Sequence, residues 1–215
     1  MEDLLKFFSI LSPCLGIGLG LIIYKRLSLP ARIITLLLGV SITCDVIMYW
    51  MAESGVNNLW VAHIYGFIEA LLLSVFFASL ILKRRYIIGV SLLYLTFYVL
   101  NSIFLEPIET FNANARALEA VMMISFCFLF FYHIYQMEAD IFIERSPDFW
   151  IVIGVVVYFS GAFFSFLLAT DILSDSYRNF YGSWILHNLS NTLKNLAFAF
   201  ALWQIHKHQR RITSA

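Results

Sequence analysis

The chain has 215 residues, of which 61% are hydrophobic and 13% are charged, and its formal net charge at pH 7 is zero. Ordinary globular domains carry about twice that share of charged residues, so the composition excludes a typical water-soluble domain. The balanced charge also gives no indication of a nucleic-acid-binding surface, and we expect no nucleic acid partner. The 21 Phe, 11 Tyr and 5 Trp residues instead suit a protein whose surface faces lipid and the headgroup region.

Seven apolar runs follow one another along the chain, each about as long as the roughly 20 residues that a helix needs to cross a bilayer. Lipid cannot satisfy unpaired backbone groups, so runs of this length without period-2 alternation are helices rather than barrel strands. We therefore predict an all-α, polytopic seven-transmembrane-helix bundle that forms a single domain over residues 1–215. The predicted spans are 4–24, 31–51, 59–82, 86–104, 115–137, 149–170 and 183–205.

The first span begins after Met1-Glu2-Asp3, which is acidic, whereas a cleaved signal peptide begins with a basic region. We therefore expect this span to be retained. Pro13 predicts a kink within it. Gly16 and Gly20 fall on one side of the helix, at the small-xxx-small spacing that lets helices pack closely in a membrane.

The basic residues predict the orientation of the bundle. Alternate connections and the C-terminus collect ten of them: Lys25, Arg26, Arg32, Lys83, Arg84, Arg85, Arg145, Lys207, Arg210 and Arg211. The opposite side has three: Lys6, Arg116 and Arg178. By the positive-inside rule the N-terminus is outside and the C-terminus is in the cytoplasm. We expect the bacterial inner membrane to be the location, and the basic C-terminal segment to contact anionic lipid or a partner protein.

Polar residues inside the spans converge on one level once sequence position is converted to depth at about 1.5 Å per residue. Each costs free energy in lipid and needs a partner, a water-filled cavity or a function. In the seventh span they also share one helical face. The candidate ligand-binding residues in the outer half and near mid-membrane are Asp45, His63, Glu69, Glu119, His187, Asn188, Asn191 and Lys194.

Two interpretations of these residues remain open. In one, they line a polar cavity that opens to the outside and takes a small ligand, ions or water. In the other, they only hold helices together, through hydrogen bonds and ion pairs such as Lys194 with Glu69 or Asp45. Arg116 lies at the i,i+3 spacing that neutralises Glu119. Cys14, Cys44 and Cys127 lie far apart within apolar runs, so we expect no metal site and no cofactor.

Three stretches carry a resemblance to a known group of proteins: Tyr65 to Glu69, Phe149-Trp150-Ile151 with Tyr158-Phe159-Ser160-Gly161, and Leu186-His187-Asn188 to Leu193-Lys194-Asn195. With these the chain resembles poorly characterised bacterial seven-helix membrane proteins, related to the membrane-sensor segments of some histidine kinases. The resemblance implies a sensing or signalling module without a kinase region. Its expected partners are the bilayer, a small ligand from the outer side, and a cytoplasmic signalling protein or a second copy of the chain.

Other functions compete with this interpretation. Membrane acids and histidines commonly mark proton routes, which favours a small-molecule or proton-coupled transporter as the alternative. An intramembrane enzyme would use the same acids and histidines as acid and base groups, but no spaced nucleophile or metal motif accompanies them, so we expect no catalytic residue. A lysine in the last span also resembles the retinal-binding lysine of microbial rhodopsins, although the third and sixth spans lack that family's patterns.

Overall fold

A computed structural model describes residues 2–81, 83–136, 142–167 and 181–213, and the side chains of 4–81, 83–136, 142–167 and 185–208. These ranges contain eight α-helices: α1 (Glu2–Leu11), α2 (Pro13–Ile22), α3 (Leu29–Glu53), α4 (Leu59–Leu80), α5 (Arg84–Phe104), α6 (Ala113–Gln136), α7 (Pro147–Leu167) and α8 (Tyr181–Thr213). Short 3-10 turns cover Tyr24–Arg26 and Ile143–Arg145. The described residues include no strand, which confirms the all-α prediction.

In the described part of the chain, six segments are long and apolar enough to cross a membrane: Leu4–Ile22, which joins α1 to α2, and the helices α3 to α7. Length and composition thus indicate a multi-pass membrane protein. The last helix, α8, has 33 residues but is not among the six. Three asparagines, His187 and Lys194 lower its hydropathy, and these are the residues that the sequence places on one helical face.

The helix boundaries differ from the predicted spans by a few residues. Five helices, α3, α5, α6, α7 and α8, begin two residues earlier than predicted, because their first turns lie outside the apolar runs. Pro30 and Pro147 lie in two of these first turns. The backbone N–H groups of a first turn make no hydrogen bond within the helix, so proline, which has no N–H, fits there. The C-terminal end of α8 differs most from the prediction, because the helix continues beyond its apolar run to Thr213 as a polar extension. The predicted ends at 82, 137 and 168–170 lie outside the described residues.

The first span is interrupted where Pro13 predicts a kink: α1 ends at Leu11 and α2 begins at Pro13. After the break, α2 packs closely against α3, as its glycine pair predicts. A Cβ atom on Gly20 would lie 2.5 Å from Thr35 Cγ2, and one on Gly16 would lie 2.5 Å from Leu38 Cδ1. Gly18, on the opposite side of α2, has open space around it.

The helices form a closed bundle. Neighbours pack in the order α3, α4, α6, α7, α8 and α2, with α2 returning to α3, while α5 lies outside against α4 and α6. The helices α4, α6 and α8 run in the same direction. Their second halves share one hydrophobic cluster, here called the apolar layer, whose buried members include Leu73, Phe76, Phe77, Met123, Phe126, Phe130, Phe198 and Leu202.

Candidate ligand site

The first halves of α4, α6 and α8 bring four charged side chains together, here called the ionic layer: Glu69, Arg116, Glu119 and Lys194. Glu69 of α4 is at its centre. Arg116 Nη2 donates to Glu69 Oε2 at 2.7 Å, and Lys194 Nζ donates to Glu69 Oε1 at 3.2 Å. Tyr65, one turn before Glu69 on α4, donates its hydroxyl hydrogen to Oε1 at 2.8 Å. Three helices are thus joined through one carboxylate.

Arg116 connects the two glutamates. Its Nη1 donates to Glu119 Oε2, one turn later on α6, so the predicted i,i+3 pair is present. Its Nη2 also donates to the Tyr158 hydroxyl of α7 at 3.1 Å. The guanidinium carbon lies 4.6 Å from the centre of the Phe166 ring, which covers the planar face. A guanidinium satisfies several acceptors in one plane, and this explains how one residue joins α4, α6 and α7.

Lys194 completes the layer from α8. Besides its ion pair with Glu69, its Nζ lies 3.8 Å from the centre of the Tyr158 ring, which is a cation–π distance. Tyr158 therefore accepts a hydrogen bond from one cation at its hydroxyl and contacts the other with its face. The predicted pair of Lys194 with Glu69 is present.

Burial makes these contacts important for stability. Glu69 and Glu119 are 0% exposed, Lys194 is 1% exposed and Arg116 is 4% exposed. Two carboxylates face two cations, so the layer is neutral when all four are ionised. Removing Glu69 would leave Lys194 as a buried charge without an ion-pair partner in the layer, and removing Arg116 would do the same to Glu119. In proteins such a change costs about 3–5 kcal/mol. The described conformation is closed, with these side chains paired to each other.

Close approach of α4 to α6 depends on Gly66. A Cβ atom there would lie 2.6 Å from the Tyr98 hydroxyl and 3.1 Å from both Cδ and Nη1 of Arg116. The absence of a side chain lets Arg116 pass alongside α4 and reach Glu69.

One oxygen in the layer has no partner among the described residues. Glu119 Oε2 accepts from Arg116, but Oε1 is buried and makes no hydrogen bond there. A buried carboxylate oxygen without a donor is unfavourable, so this atom marks a position where a donor group would be stabilised.

Asp45 of α3 lies beside the ionic layer rather than inside it. Its carboxylate is hydrogen-bonded with Ser41, one turn earlier, and is close enough to Lys194 and Glu69 to interact with them electrostatically. It belongs to none of the ion pairs in the described part of the chain, and its side chain is only partly buried. When ionised, Asp45 adds a negative charge next to a balanced network.

The His63 side chain contacts α5 and the connection between α5 and α6. Its Nε2 donates to the Thr110 carbonyl oxygen at 2.9 Å, and Nδ1 lies 3.0 Å from the Ser102 hydroxyl. The His63 carbonyl oxygen accepts from the Tyr98 hydroxyl at 2.8 Å, and Asn112 donates to that same hydroxyl. His63 is therefore not brought together with the other candidate residues.

Three further candidates lie on α8: His187, Asn188 and Asn191. His187 packs its ring against Tyr158 and Phe166, with centroids 5.7 and 5.4 Å away, and so lies next to the ionic layer. Asn188 is half-buried, and its backbone carbonyl oxygen accepts a hydrogen bond from the Thr192 hydroxyl.

Asn191 faces the interrupted first span instead. It donates to the Ser9 hydroxyl at 2.9 Å, and Asn195 does the same to Ser12 at 2.8 Å. These two bonds join α8 to the break between α1 and α2, so Asn191 is a helix contact and does not touch the ionic layer.

The sequence predicts only part of the site. It predicts the pair of Arg116 with Glu119 but places Arg116 among the basic residues of the outer side, whereas the side chain is buried inside the bundle. Tyr65, Gly66 and Tyr158 are not among the predicted site residues. The i,i+4 spacing of Tyr65 to Glu69 and the i,i+3 spacing of Arg116 to Glu119 are the sequence signals that point to this arrangement.

Comparisons with known protein families, with curated proteins and with solved structures found no match to this chain.

Proposed function

We propose that the chain is a seven-span protein of the bacterial inner membrane, with its N-terminus outside and its C-terminus in the cytoplasm. The proposed seventh span is α8. It packs against α7, α1 and α2 in the bundle, and its Lys194 and Asn191 side chains find partners there that lipid does not offer. Basic residues of two connections also gather at one end with the last turns of α8: Lys25 and Arg26 lie beside His206, and Arg145 beside Lys207.

Reporter fusions test this topology. Green fluorescent protein at the C-terminus should fluoresce, while alkaline phosphatase at the same place should be inactive, because it folds only outside the cytoplasm. The same two reporters at the N-terminus should give the opposite result. If both ends lie on one side, the number of spans is even and the seventh span is wrong.

We further propose that the protein is a receptor or sensor module that binds a small ligand or ion from the outer side at the ionic layer. The observation that carries this proposal is the buried Oε1 of Glu119, which has no hydrogen-bond partner among the described residues, in a layer next to the carboxylate of Asp45. Both features favour a ligand that supplies hydrogen-bond donors or positive charge, such as a small amine.

The proposed signal is a rearrangement of helices. A cationic ligand would compete with Arg116 and Lys194 for the carboxylates, and those pairs join α4, α6 and α8. Since α8 continues to Thr213, beyond the apolar layer, a shift of this helix would reach the proposed cytoplasmic end. A signalling protein or a second copy of the chain would detect the shift there.

The apolar layer favours a receptor over a carrier. Phe77 of α4 packs against Phe126 of α6 with ring centroids 5.7 Å apart, and both side chains are nearly fully buried. A carrier needs a second conformation that opens this layer. The receptor interpretation needs only a change of ion pairs above it.

A thermal-shift screen of the purified protein against small amines, amino acids and metal cations tests the proposal. At least one compound should raise the melting temperature, and Asp45→Asn and Glu119→Gln should each abolish that shift. Glu53→Gln, which removes an exposed carboxylate at the end of α3, is the matched control and should keep it. A shift that survives both variants would refute the site, and uptake of the compound into proteoliposomes would indicate the transporter instead.

A further inference from the structure

A cavity lies at the opposite end of the bundle from the ionic layer. It has a volume of about 880 Å³ and lies between the start of α7 and the end of α8. It is lined by Arg145, Pro147, Trp203, Gln204, Ile205, Lys207 and His208. The proposed ligand site uses none of these residues.

Two cations of this cavity have aromatic neighbours and, among the described residues, no carboxylate in an ion pair with them. The Arg145 guanidinium carbon lies 4.3 Å from the centre of the Phe142 ring, and Lys207 Nζ lies 4.9 Å from the centre of the Trp203 ring. Neither cation takes part in the ion pairs of the described residues, although Glu144 and Asp148 are near Arg145 in sequence. Contact with a ring face leaves N–H donors available to an anion.

The cavity is bounded by a fixed turn. Trp150 Nε1 donates to the Glu144 carbonyl oxygen at 2.8 Å, and Gln204 Nε2 donates to the same oxygen at 3.3 Å. The 3-10 turn that carries Arg145 is therefore attached both to α7 and to α8. This attachment places Arg145 and Lys207 on the same cavity before any ligand arrives.

Next to the cations is an apolar aromatic surface. Trp203 and Phe200 are 41% and 38% exposed, and the Phe200 ring lies 4.8 Å from Trp150 and 5.5 Å from Trp203, centroid to centroid. Tryptophan beside basic residues is typical of the headgroup level of a membrane. Charge and apolar surface thus meet at one place.

We propose that this cavity binds the headgroup of an anionic phospholipid. Arg145 and Lys207 contact the phosphate, and the acyl chains lie along Trp203 and Phe200. A soluble phosphate compound would use the cations but not the aromatic surface, so the geometry favours a lipid. This site is independent of the ligand proposed for the ionic layer.

Native mass spectrometry of the purified full-length chain tests the proposal, with phosphatidylglycerol, phosphatidylcholine and inorganic phosphate as probes. Phosphatidylglycerol should bind to the wild type. The double variant Arg145→Gln, Lys207→Gln should weaken this binding roughly 30-fold, since each basic residue near an anionic surface contributes about one kcal/mol. Lys83→Gln with Arg84→Gln removes two charges at the same end of the bundle, outside the cavity, and should have little effect.

Three results would overturn the proposal: equal weakening by both double variants, equal binding of phosphatidylcholine, or inorganic phosphate that displaces the lipid. The first would mean general surface charge, and the last would mean a soluble anion site. A Trp203→Ala variant keeps the two cations and separates the parts of the site. It should weaken phosphatidylglycerol while leaving the melting temperature of the lipid-free protein unchanged, because Trp203 is partly exposed.

Discussion

The same three helices, α4, α6 and α8, build two layers of opposite character. In the ionic layer, Glu69, Arg116 and Lys194 meet through directional contacts with few alternatives. About 12 Å further along α4, at 1.5 Å per residue, Phe77 and its neighbours pack without any polar contact between them. Dispersion packing tolerates small adjustments, whereas ion pairs are either made or broken. In the receptor function proposed above, the ionic layer is therefore where the helices rearrange, while the apolar layer keeps its packing.

Removing Glu69 should produce the largest loss of stability. Glu69→Ala leaves Arg116 with one carboxylate and Lys194 with none in the ionic layer, and we expect a loss of about 3–5 kcal/mol in the free energy of unfolding. Unfolding by sodium dodecyl sulfate in mixed micelles measures it. The control Glu53→Ala truncates an exposed glutamate and should change the stability by less than about 0.5 kcal/mol. Similar losses in both variants would show that the ionic layer contributes no special stability.

Truncation in the apolar layer should cost less. Phe77→Ala leaves a cavity, and Phe→Ala in soluble cores costs about 3–5 kcal/mol. Part of that cost is transfer from water, which is missing when the helices separate into lipid, so we expect about 2 kcal/mol here. Phe128→Ala on α6, where the ring is 64% exposed, is the matched control with almost no loss. A Phe77→Ala loss larger than that of Glu69→Ala would reverse the ranking of the two layers.

Adding a methyl group beside Arg116 tests how closely α4 approaches the ionic layer. Gly66→Ala should cost about 1 kcal/mol, the low end for overpacking, because the tyrosine hydroxyl and the guanidinium that it meets are side-chain ends that can shift. Gly89→Ala on α5 has nothing within 4 Å of the new atom and should be neutral or slightly stabilising. Thermal unfolding of both variants in detergent provides the comparison. Equal melting temperatures would contradict the close approach of α4 to Arg116.

The smallest effect should come from the contact between α8 and the interrupted first span. Asn191→Ala and Ser9→Ala each remove one side of a single hydrogen bond. A double-mutant cycle should give a coupling energy of about 0.6 kcal/mol, the average for such bonds between membrane helices. A coupling energy above about 2 kcal/mol would mean that the Asn191–Ser9 bond stabilises the bundle as strongly as a contact of the ionic layer, which would contradict this ranking.

Much of the fold follows from the sequence because the membrane allows few alternatives. The apolar runs correspond to the observed helices, and Pro13 and the glycine pair correctly predict the break and the close packing of the first span. The level at which the charges meet was also predictable, since depth follows from residue number. Which charges meet was only partly predictable: Arg116 lies at the start of an apolar run and resembles an interfacial residue until the partners on α4 and α7 are known. His63 shows the opposite error, because its true partners lie on a connection that has no periodicity.

Accessibility of the two layers to water tests most directly whether the ionic layer opens to the outside. Asp45→Cys and Phe198→Cys, each in a background where Cys14, Cys44 and Cys127 are alanine, can be treated with a membrane-impermeant maleimide. The reagent is added to intact cells for the outer side and to inside-out membrane vesicles for the cytoplasmic side. We expect Asp45→Cys to react from the outside and Phe198→Cys, in the apolar layer, to react from neither side. An Asp45→Cys variant that is folded but reacts only from the cytoplasmic side, or not at all, would contradict an outward-facing ligand site.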